Sequence, residues 1–338
     1  MPTTKLPVGV IGLGRMGRIY ADAIAHRIPN ARLVAIADVV QGVVQEQAEL
    51  LEVPFATTDY RELLARPEVE AVFVISPTST HREVVTEAAR AGKAIFCEKP
   101  IALTLAETDA IAGALEQAGV FFQAGFMRRF DAGYAQAWAK IEAGVIGRPT
   151  TFKSIGRDPF CPNPAFADPA VSGGLILDMA IHDFDLARWL MQDEVKRVYA
   201  EGSLLACPEL KAVGDIDNAV VTLAFERGAV GDVEVSRNAF YGYDIRTEVL
   251  GTEGALQIGY FRQTPVLTLT REGVAYDMVP YIIERFLDAY VAQSQDFVNR
   301  VLAGDEPAVT IEDARRALAI GAAATQSLHE GRPITLEL

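Results

Sequence analysis

The chain has 338 residues, of which half are hydrophobic and 22% are charged, as is typical of a globular protein of about two domains. Its formal net charge of −14, without a run of Lys and Arg, disfavours a nucleic-acid partner or an anionic membrane surface. The composition therefore favours a small-molecule ligand.

The cysteines and the N-terminus bear on the cellular compartment. Cys97, Cys161 and Cys207 lie far apart without a CxxC pair, which predicts neither a disulfide framework nor a cysteine-based zinc site. The opening MPTTKLPVGVIGLG lacks the basic region, apolar stretch and cleavage site of a signal peptide. No apolar run reaches the roughly 18 residues that span a bilayer. We therefore expect a reduced, cytoplasmic protein with no membrane partner.

The first 125 residues alternate short apolar runs with longer amphipathic stretches. The amphipathic stretches Arg15–Arg27 and Thr104–Gln117 have apolar residues at helical spacing. The apolar runs are Val8–Ile11, Leu33–Ala37, Ala71–Ile75, Ala94–Cys97 and Val120–Gln123. Such alternation predicts a parallel sheet with helices on both faces. The sequences Thr80-x-x-Glu83 and Thr104-x-x-Glu107 predict capping boxes at two of the helix starts.

The pattern changes beyond about residue 127. The proline-rich segment Arg157–Pro169 predicts a long loop. From about Val195 to Thr270 the apolar residues recur with a period of two, which predicts a mostly antiparallel sheet with one solvated or partner-facing side. Arg227-Gly228 and Thr252-Glu253-Gly254 predict hairpin turns. Two helices, at about 281–303 and 310–329, are expected at the end of the chain.

A glycine fingerprint follows the first apolar run. Gly12-x-Gly14-x-x-Gly17 stands between a predicted strand and a predicted helix, which is the context of a dinucleotide-binding turn. Gly12 would permit the tight turn, Gly14 would let the backbone approach a pyrophosphate, and Gly17 would let helix and strand pack closely. The helix N-terminus would then present free N–H groups to the phosphates. A glycine turn without a ligand remains the alternative.

Asp38 supports the dinucleotide interpretation and selects the cofactor. It follows the second predicted strand at nearly the spacing of the acid that binds the adenosine ribose diol. A carboxylate there repels a 2′-phosphate, and neither Val39 nor Val40 offers a cation to hold one. The sequence therefore predicts NAD rather than NADP.

The stretch GGLILDMAIHDFD, residues 173–185, places Asp178 and His182 four residues apart in an apolar run. That spacing puts both side chains on one face of a helix. Three interpretations are open: a metal site, a buried structural hydrogen bond, or proton transfer. The four histidines of the chain lie far apart in sequence, which disfavours a zinc site with its three or four ligands, and no metal is expected.

A family resemblance emerges from five segments taken together. They are GLGRMG at the start, SPTSTH at 76–81, EKP at 98–100, QAGFMRRFD at 123–131 and GGLILDMAIHDFD at 173–185. Over essentially its whole length the chain resembles the Gfo/Idh/MocA family of oxidoreductases. Within that family, GFMRRFD, SGGLILDMAIHDFD and YGYDIRTEV are most similar to inositol 2-dehydrogenases.

The resemblance implies an α/β fold of two domains. We expect an NAD-binding, doubly wound Rossmann domain over residues 1–126. Residues 127–338 would form a substrate-binding and oligomerisation α/β domain, with a large, open, mostly antiparallel sheet. That sheet commonly forms the subunit interface of such enzymes, so a homodimer or homotetramer is expected.

The resemblance also implies catalytic roles for Lys99, Asp178 and His182. Oxidation of a secondary alcohol needs hydride transfer to the nicotinamide and loss of the hydroxyl proton. An imidazole, with an ordinary pKa near 6.5, suits the role of base, and the carboxylate of Asp178 would orient it. The ammonium of Lys99 would favour alkoxide character on the substrate oxygen. The Asp178–His182 pair is therefore interpreted as moving a proton.

Further contacts are carried over from the resemblance. The expected NAD-binding residues are Gly12, Gly14, Arg15, Met16, Asp38, Ser76, Pro77, Thr78, His81, Glu98, Lys99 and Gln123. The expected substrate-binding residues are Lys99, Arg129, Arg157, Asp178, His182 and Tyr243. Alternatives stay open for several: Arg128, Arg129 and Asp131 would either reach substrate hydroxyls or form surface ion pairs, and Tyr243 would equally suit an interface. Asp185 is expected to be structural and Asp183 solvated.

The leading functional prediction is NAD-dependent oxidation of a ring secondary alcohol of a cyclitol, myo-inositol or a stereoisomer, to the inosose. A sugar (aldose) dehydrogenase and an NAD-dependent glycosidase of the same family are the alternatives. A non-catalytic NAD-binding regulator ranks lower because both Lys99 and His182 are present. The segment SIGRDPFCPNPAF differs from the corresponding stretch of the bacterial myo-inositol enzymes, so the polyol itself stays open.

Overall fold

The computed structural model describes residues 5–259, 262–264 and 266–337. Packing divides the chain into two compact units. The first consists of residues up to Met127 together with Asp288–Arg315, and the second of Arg128–Leu287 together with the residues from Arg316 onward. The domain division at residue 126 stays a prediction; by packing, the segment Asp288–Arg315 belongs with the N-terminal unit.

The first unit contains a six-stranded parallel sheet. Its strands are β1 (Leu6–Ile11), β2 (Ala31–Ala37), β3 (Phe55–Thr57), β4 (Ala71–Val74), β5 (Ala94–Glu98) and β6 (Phe122–Gly125). The strand order is β3-β2-β1-β4-β5-β6 with every pairing parallel, so the predicted doubly wound sheet is confirmed. The order reverses between β1 and β4, and open sheets of this kind bind ligands outside the strand ends at that point.

Five helices connect these strands. They are α1 (Arg15–His26), α2 (Gln41–Leu50), α3 (Tyr60–Leu64), α4 (Thr78–Arg90) and α5 (Leu105–Ala118). Thr104 is confirmed as the N-cap of α5, because its hydroxyl accepts from Glu107 N at 3.2 Å. The box predicted at Thr80 is wrong: α4 begins two residues earlier, and the Thr80 hydroxyl instead donates to the Pro77 carbonyl at 2.8 Å.

An aromatic cluster explains why residues after 287 pack in the first unit. Phe73 and Phe96 stack at 4.7 Å between ring centroids, and Phe297 meets Phe73 edge-on at 5.0 Å. Tyr290 meets Tyr20 edge-on at 5.7 Å. Aromatic pairs in these geometries stabilise a core beyond the area they bury. The late segment therefore completes the hydrophobic core of the N-terminal unit.

The second unit is built on a seven-stranded sheet. Its strands are β7 (Pro149–Arg157), β8 (Val195–Ser203), β9 (Asn218–Phe225), β10 (Val230–Ser236), β11 (Asp244–Gly251), β12 (Ala255–Ile258) and β15 (Ile334–Thr335). Strands β13 (Thr268–Thr270) and β14 (Gly273–Ala275) form a separate hairpin. The order is β12-β11-β7-β10-β9-β8-β15, and only the β7–β10 pairing is parallel among these strands. The predicted mostly antiparallel sheet is therefore confirmed. The alternation along β9 follows the prediction, with Val221 and Leu223 buried and Val220 and Thr222 exposed.

The remaining helices are α6 (Ala132–Glu142), α7 (Pro164–Ala167), α8 (Pro169–Ser172), α9 (Ile181–Met191), α10 (Ile282–Ala303) and α11 (Ile311–Glu330). The first four lie in the second unit, whereas α10 and α11 each have residues in both units. Short 3-10 helices occur at Met127–Phe130 and Pro208–Val213, and a π-helical turn at Ile176–Ala180 leads into α9. The two predicted terminal helices are confirmed. The predicted loop at Arg157–Pro169 is only partly correct, because Arg157 ends β7 and Asn163 caps the single turn of α7.

Candidate active site

The three fingerprint glycines have the geometry that a dinucleotide turn requires. Gly12 has φ +92°, and a Cβ on it would lie 2.6 Å from Ser76 N. A Cβ on Gly17 would lie 1.9 Å from the Gly12 carbonyl oxygen, so α1 packs against the turn at the closest distance a backbone allows. Gly14 is exposed, and a Cβ on it would meet nothing within 4 Å among the described residues. The open space lies where a pyrophosphate would approach.

The start of α1 and the end of β2 complete this loop. Gly14 is the N-cap residue of α1, so the backbone N–H groups of Arg15 and Met16 belong to the first turn, where a phosphate binds. Asp38 accepts hydrogen bonds from Leu13 N at 2.7 Å and from Val40 N at 2.9 Å. Each carboxylate oxygen keeps a second lone pair for a ribose hydroxyl. The residues present therefore fit a dinucleotide with an unphosphorylated ribose.

A buried histidine links two loops at the same sheet edge. His81 Nε2 lies 2.8 Å from the Ser76 carbonyl oxygen, and Nδ1 lies 3.0 Å from that of Pro100. Burial lowers the pKa of His81, although both carbonyl contacts oppose that shift. The His81 side chain therefore connects the segment Ser76-Pro77-Thr78 to the turn after Lys99. The Lys99-Pro100 peptide bond in that turn is cis.

Two further predicted cofactor residues point into the first unit. Glu98 is buried; Tyr20 donates to its Oε1, and Lys99 N donates to its Oε2 at 2.9 Å. Burial raises the pKa of the Glu98 carboxyl. Gln123 is fully buried; it donates to Asp296 Oδ2 at 3.3 Å and accepts from the Ala308 amide at 3.1 Å. These contacts place both residues as supports for the sheet edge.

In the second unit, Asp178 and His182 lie on one continuous helical run. Gly173 and Gly174, with φ +83° and +71°, precede it. Asp178 lies in the π-helical turn and is partly exposed, whereas His182, in the first turn of α9, is buried. Side chains four residues apart on such a run are neighbours on its surface. Single π-helical turns inside α-helices occur frequently at functional sites.

A buried arginine that the sequence did not reveal contacts this run. Arg237 Nη2 donates to Asp178 Oδ2 at 3.3 Å and lies 3.7 Å from Asp215 Oδ2. Asp215 in turn accepts from Leu175 N at 3.0 Å. Arg237 stands 59 residues after Asp178, so no local pattern pairs them.

Buried ion pairs hold the segment after β6 against α9 and α10. Arg128 pairs with Asp183 at 2.6 Å, and Arg129 forms two bonds to Asp185, at 2.9 and 2.6 Å. Asp131 accepts from Arg285 at 2.7 Å. The ion pairs therefore form, but the expectation that they lie at the surface is wrong, because these side chains are buried. Asp185 has the structural role expected of it.

The solvated position expected for Asp183 is wrong. Its side chain is 0% exposed and also accepts from the Ser154 hydroxyl at 2.6 Å. A carboxylate is buried at little cost only when it is paired, and here a guanidinium and a hydroxyl share it. Nearly all residues of α9 are buried, so a charged residue on this helix must face other protein groups, and Asp183 faces the sheet.

The remaining predicted substrate residues have partners within the second unit. Arg157 donates to Glu234 Oε1 at 2.7 Å and to the Tyr241 hydroxyl at 2.9 Å. Tyr243 is buried with its ring edge-on to that of Tyr281 at 5.4 Å, and burial raises the pKa of its hydroxyl far above the usual value. Tyr243 is therefore a buried tyrosine beside an aromatic ring, and the charges of Asp158 and Arg128 also act on its hydroxyl.

Two sequence profiles match successive regions of the chain. Residues 6–126 match the oxidoreductase family with an NAD-binding Rossmann fold, and residues 134–257 match the GFO/IDH/MocA C-terminal domain. The chain is 40% identical over 329 residues to scyllo-inositol 2-dehydrogenase (NAD(+)) of Bacillus subtilis (strain 168), covering 97% of this chain and 96% of that one.

The chain belongs to the Gfo/Idh/MocA family of oxidoreductases.

A second relative and a solved structure extend the comparison across the family. Myo-inositol 2-dehydrogenase of Thermotoga maritima is 42% identical over 331 residues, covering 98% of each chain. The crystal structure of scyllo-inositol dehydrogenase from Lactobacillus casei with NAD(H) and scyllo-inositol superposes with a TM-score of 0.93 at 32% identity, covering 98% of this chain and 99% of that one. The predicted family, the oxidoreductase class and NAD as the cofactor of the Rossmann unit are confirmed.

One prediction outside the site is overturned in this Gfo/Idh/MocA protein. Cys161 and Cys207, 46 residues apart in sequence, form a disulfide, and Cys97 is a buried free thiol. Separation in sequence does not measure separation in space, and the fold brings the segment after β7 beside the 3-10 helix at 208–213. The expectation of unpaired cysteines was therefore wrong.

No helix in the described ranges is long and apolar enough to cross a membrane.

Proposed function

We propose that this protein oxidises a ring secondary alcohol of an inositol to the corresponding inosose, with NAD as the hydride acceptor. The observation that carries the proposal is the placement of Asp178 and His182 four residues apart on one helical run. Its chemistry agrees with the full-length likeness to relatives named scyllo- and myo-inositol 2-dehydrogenases. The alcohol loses a hydride from carbon and a proton from oxygen, and residues of this chain accept the proton.

His182 takes the hydroxyl proton as general base. Help of this kind is typically worth about 10²–10⁴ in rate. The carboxylate of Asp178 orients the imidazole and stabilises the imidazolium that forms. Because His182 is buried and Asp178 partly exposed, the base is shielded from bulk water while its partner lies at the surface of the helical run.

Lys99 acts on the substrate oxygen through its ammonium group. A cation beside that oxygen stabilises the developing negative charge during oxidation and polarises the carbonyl in the reverse direction. Glu98 fixes the backbone of this lysine through the bond from Lys99 N. Lys99 therefore lies on a turn that buried side chains hold in place.

NAD, when bound, supplies the nicotinamide carbon that accepts the hydride. The α1 N-terminus at Arg15 and Met16, with Gly12 and Gly14, would hold its pyrophosphate, and Asp38 its adenosine ribose. The loop of Ser76, Pro77, Thr78 and His81 would border the nicotinamide side. Glu98 and Gln123 contribute to this binding site through the loops and strand ends that they support.

For the substrate, Tyr243 is proposed to contact ring hydroxyls together with Lys99, Asp178 and His182. Arg129 and Arg157 are proposed to shape the surrounding surface while paired to Asp185 and Glu234.

A homo-oligomer is proposed from the sheet of the second unit. Val220, Val230 and Leu250 expose apolar side chains on its strands, as an interface between copies would need. Light scattering of the purified protein measures this state, and a monomer at micromolar concentration would contradict it. The cytoplasmic location stays a prediction.

The deciding experiment measures NADH absorbance with NAD and NADP in parallel. The panel contains myo-, scyllo- and D-chiro-inositol, D-glucose, D-xylose and D-galactose. We expect turnover of at least one inositol with NAD and far less with NADP. Activity confined to an aldose would move the substrate to C1 of a sugar. Tight NAD binding with no turnover on the panel would overturn the dehydrogenase proposal and make aryl glycosides the next substrates.

A further inference from the structure

Arg237 is a buried cation in the second unit to which the reaction described above assigns no role. It follows the last residue of β10, and its side chain is 2% exposed. Its backbone N–H donates to the Asp217 carbonyl at 2.9 Å, which fixes the start of the side chain. Strand β10 packs against the π-helical turn at 176–180, so the guanidinium reaches the turn that carries Asp178.

Two supports meet at this turn. The Asp215 carboxylate accepts from Leu175 N at 3.0 Å and so holds the backbone that begins the helical run. Arg237 Nη2 donates to Asp178 Oδ2 at 3.3 Å and lies 3.7 Å from Asp215 Oδ2. The guanidinium therefore lies between a carboxylate that positions the backbone and the carboxylate proposed to orient His182.

The geometry differs from that of a structural ion pair in the same unit. Arg129 bonds Asp185 through two nitrogens, at 2.9 and 2.6 Å. Within the described ranges, by contrast, Arg237 Nη1 donates to no acceptor and Asp215 Oδ2 accepts from no donor. A guanidinium stays charged when buried, and an unsatisfied buried polar group costs about 1–3 kcal/mol. Incomplete pairing also occurs at Arg128 Nε, Asp183 Oδ2 and Arg285 Nε, so what distinguishes Arg237 is its position between Asp215 and Asp178.

We propose that Arg237 is a positioning residue for the oxidation: its guanidinium fixes the Asp178 carboxylate in the orientation that directs the His182 imidazole. The inference rests on the proposed function, because Asp178 and His182 take their roles from it. Without the cation, two carboxylates of like charge would lie together in a region of low dielectric. The partly exposed Asp178 would then turn toward water, and the imidazole would lose its fixed partner.

The titration of Asp215 agrees with a crowded pair of acids. Burial raises the pKa of the Asp215 carboxyl, and the charge of Asp178 adds to that rise although the Arg237 cation opposes it. The Arg237 cation therefore offsets part of the rise that burial and the neighbouring acid cause in the pKa of Asp215.

Two variants of this residue separate charge from packing. Arg237→Lys keeps a cation, and Arg237→Met keeps a long side chain without one. With an inositol and NAD, we expect Arg237→Met to lower kcat by about 10–100-fold, as when a group that orients another is removed. KM should change less than kcat, because Asp178, which is also proposed to contact the substrate, acts mainly by orienting the base. Arg237→Lys should recover most of the lost kcat.

Arg188→Met is the matched control. Arg188 is a buried arginine on α9 that pairs with Glu194 at 2.6 Å, and it has no proposed part in the reaction. We expect a lower melting temperature and unchanged kcat. Equal kcat for the Lys and Met variants of Arg237, or a loss confined to KM, would overturn the positioning role.

A double-mutant test with a second uncharged variant, Arg237→Gln, covers the case in which Arg237→Met does not fold. Arg237→Gln alone should lower kcat as Arg237→Met does, but in an Asp178→Asn background it should cost little beyond the loss already caused by Asp178→Asn, since residues acting through one another are not additive. The same fold-loss from Arg237→Gln in both backgrounds would show that Arg237 does not act through Asp178.

Crystal structures of the Arg237 variants separate this inference from the proposed function. If the wild type turns over no inositol, the proposed function fails. The position of the Asp178 carboxylate in the variant structures then decides whether Arg237 is a positioning residue. A carboxylate displaced in Arg237→Met but retained in Arg237→Lys supports the positioning role. A carboxylate that stays in place in both variants, or that moves equally in both, overturns it.

Discussion

The glycine loop of the first unit and the helical run of the second are held in place by different means. In the loop, backbone atoms make the contacts on at least one side: Gly17 packs on the Gly12 carbonyl, and Leu13 N donates to the Asp38 carboxylate, 25 residues away. The run bearing Asp178 and His182 is held by side-chain ion pairs, whose partners lie 55 to 59 residues away.

The difference predicts how each region fails. A backbone-built loop tolerates changes of side chain at its exposed positions and fails when a Cβ takes up the space left for a ligand. A region held by buried ion pairs fails when one charge loses its partner, because the remaining charge is then buried alone. Activity, stability and cofactor binding should therefore respond separately to substitutions in the two regions.

The largest effect is expected from His182→Ala. Loss of the general base should lower kcat by about 10²–10⁴-fold with the best inositol, while NAD affinity and melting temperature stay close to those of the wild type. Lys99→Ala should likewise lower kcat and spare NAD binding. The measurements are initial rates of NADH formation and calorimetric titration with NAD. A variant that keeps near-normal turnover would refute the role assigned to its residue.

The next effect concerns stability and compares two arginines of similar geometry. Arg129 and Arg315 each form a two-bond pair with an aspartate, but the Arg129–Asp185 pair is buried and the Arg315–Asp109 pair lies at the surface. Arg129→Met should lower the free energy of unfolding by about 3–5 kcal/mol. Arg315→Met should change it by about 1 kcal/mol or less.

Urea denaturation of both arginine variants measures these two losses. An Arg129→Met protein of wild-type stability with a strongly raised KM would instead favour direct contact of Arg129 with substrate.

The two regions also differ in how far the sequence predicts them. The parallel sheet of the first unit and the turn at Gly12–Gly17 follow from contiguous patterns, because alternating strands and helices with short connections are specified locally. The N-cap at Thr104 was equally local. The capping box predicted at Thr80 was wrong because a Thr-x-x-Glu sequence also fits inside the first turn of a helix, where the Thr80 hydroxyl donates to the Pro77 carbonyl.

In the second unit the sequence identified Asp178 and His182 but not what supports them. Arg237 follows an ordinary alternating strand, and only the fold brings it to Asp178. Asp183 was expected in water because charged residues seldom lie buried, and its partner Arg128 is 55 residues away. The Cys161–Cys207 disulfide escaped for the same reason, since pairing at a distance leaves no local pattern.

A smaller effect on NAD binding tests the backbone character of the glycine loop. Gly14 has φ −63°, which any residue adopts, and its Cβ position is open, so Gly14→Ala should fold normally. The added methyl would occupy space proposed for the pyrophosphate and should cost about 1–3 kcal/mol of NAD binding free energy. Gly42→Ala, at another open helical position, is the control and should leave NAD affinity unchanged. Equal NAD affinity of both variants would contradict the placement of the pyrophosphate.

The smallest effect is a pH dependence of stability caused by a buried side chain of the first unit, His81. His81 joins the Ser76 and Pro100 carbonyls, and burial lowers its pKa in the folded state. Between that lowered pKa and the ordinary value of about 6.5, the unfolded chain binds a proton that the folded chain does not. The stability contributed by neutral His81 is therefore fully present above about pH 6.5 and is lost as the pH falls through this window, by at most about 1.4 kcal/mol per pH unit.

His81→Asn should remove that part of the acid sensitivity. We expect the melting temperature of the wild type to fall more than that of His81→Asn between about pH 7.5 and about pH 5.5, because only the wild type has this buried imidazole to protonate. His26→Asn is the control, since His26 is exposed on α1 and its loss should leave the wild-type slope intact. If His81→Asn and the wild type lose the same stability on acidification, the imidazole is not the group that titrates. The loop between β4 and α4 would then depend on its backbone alone, like the glycine turn beside it.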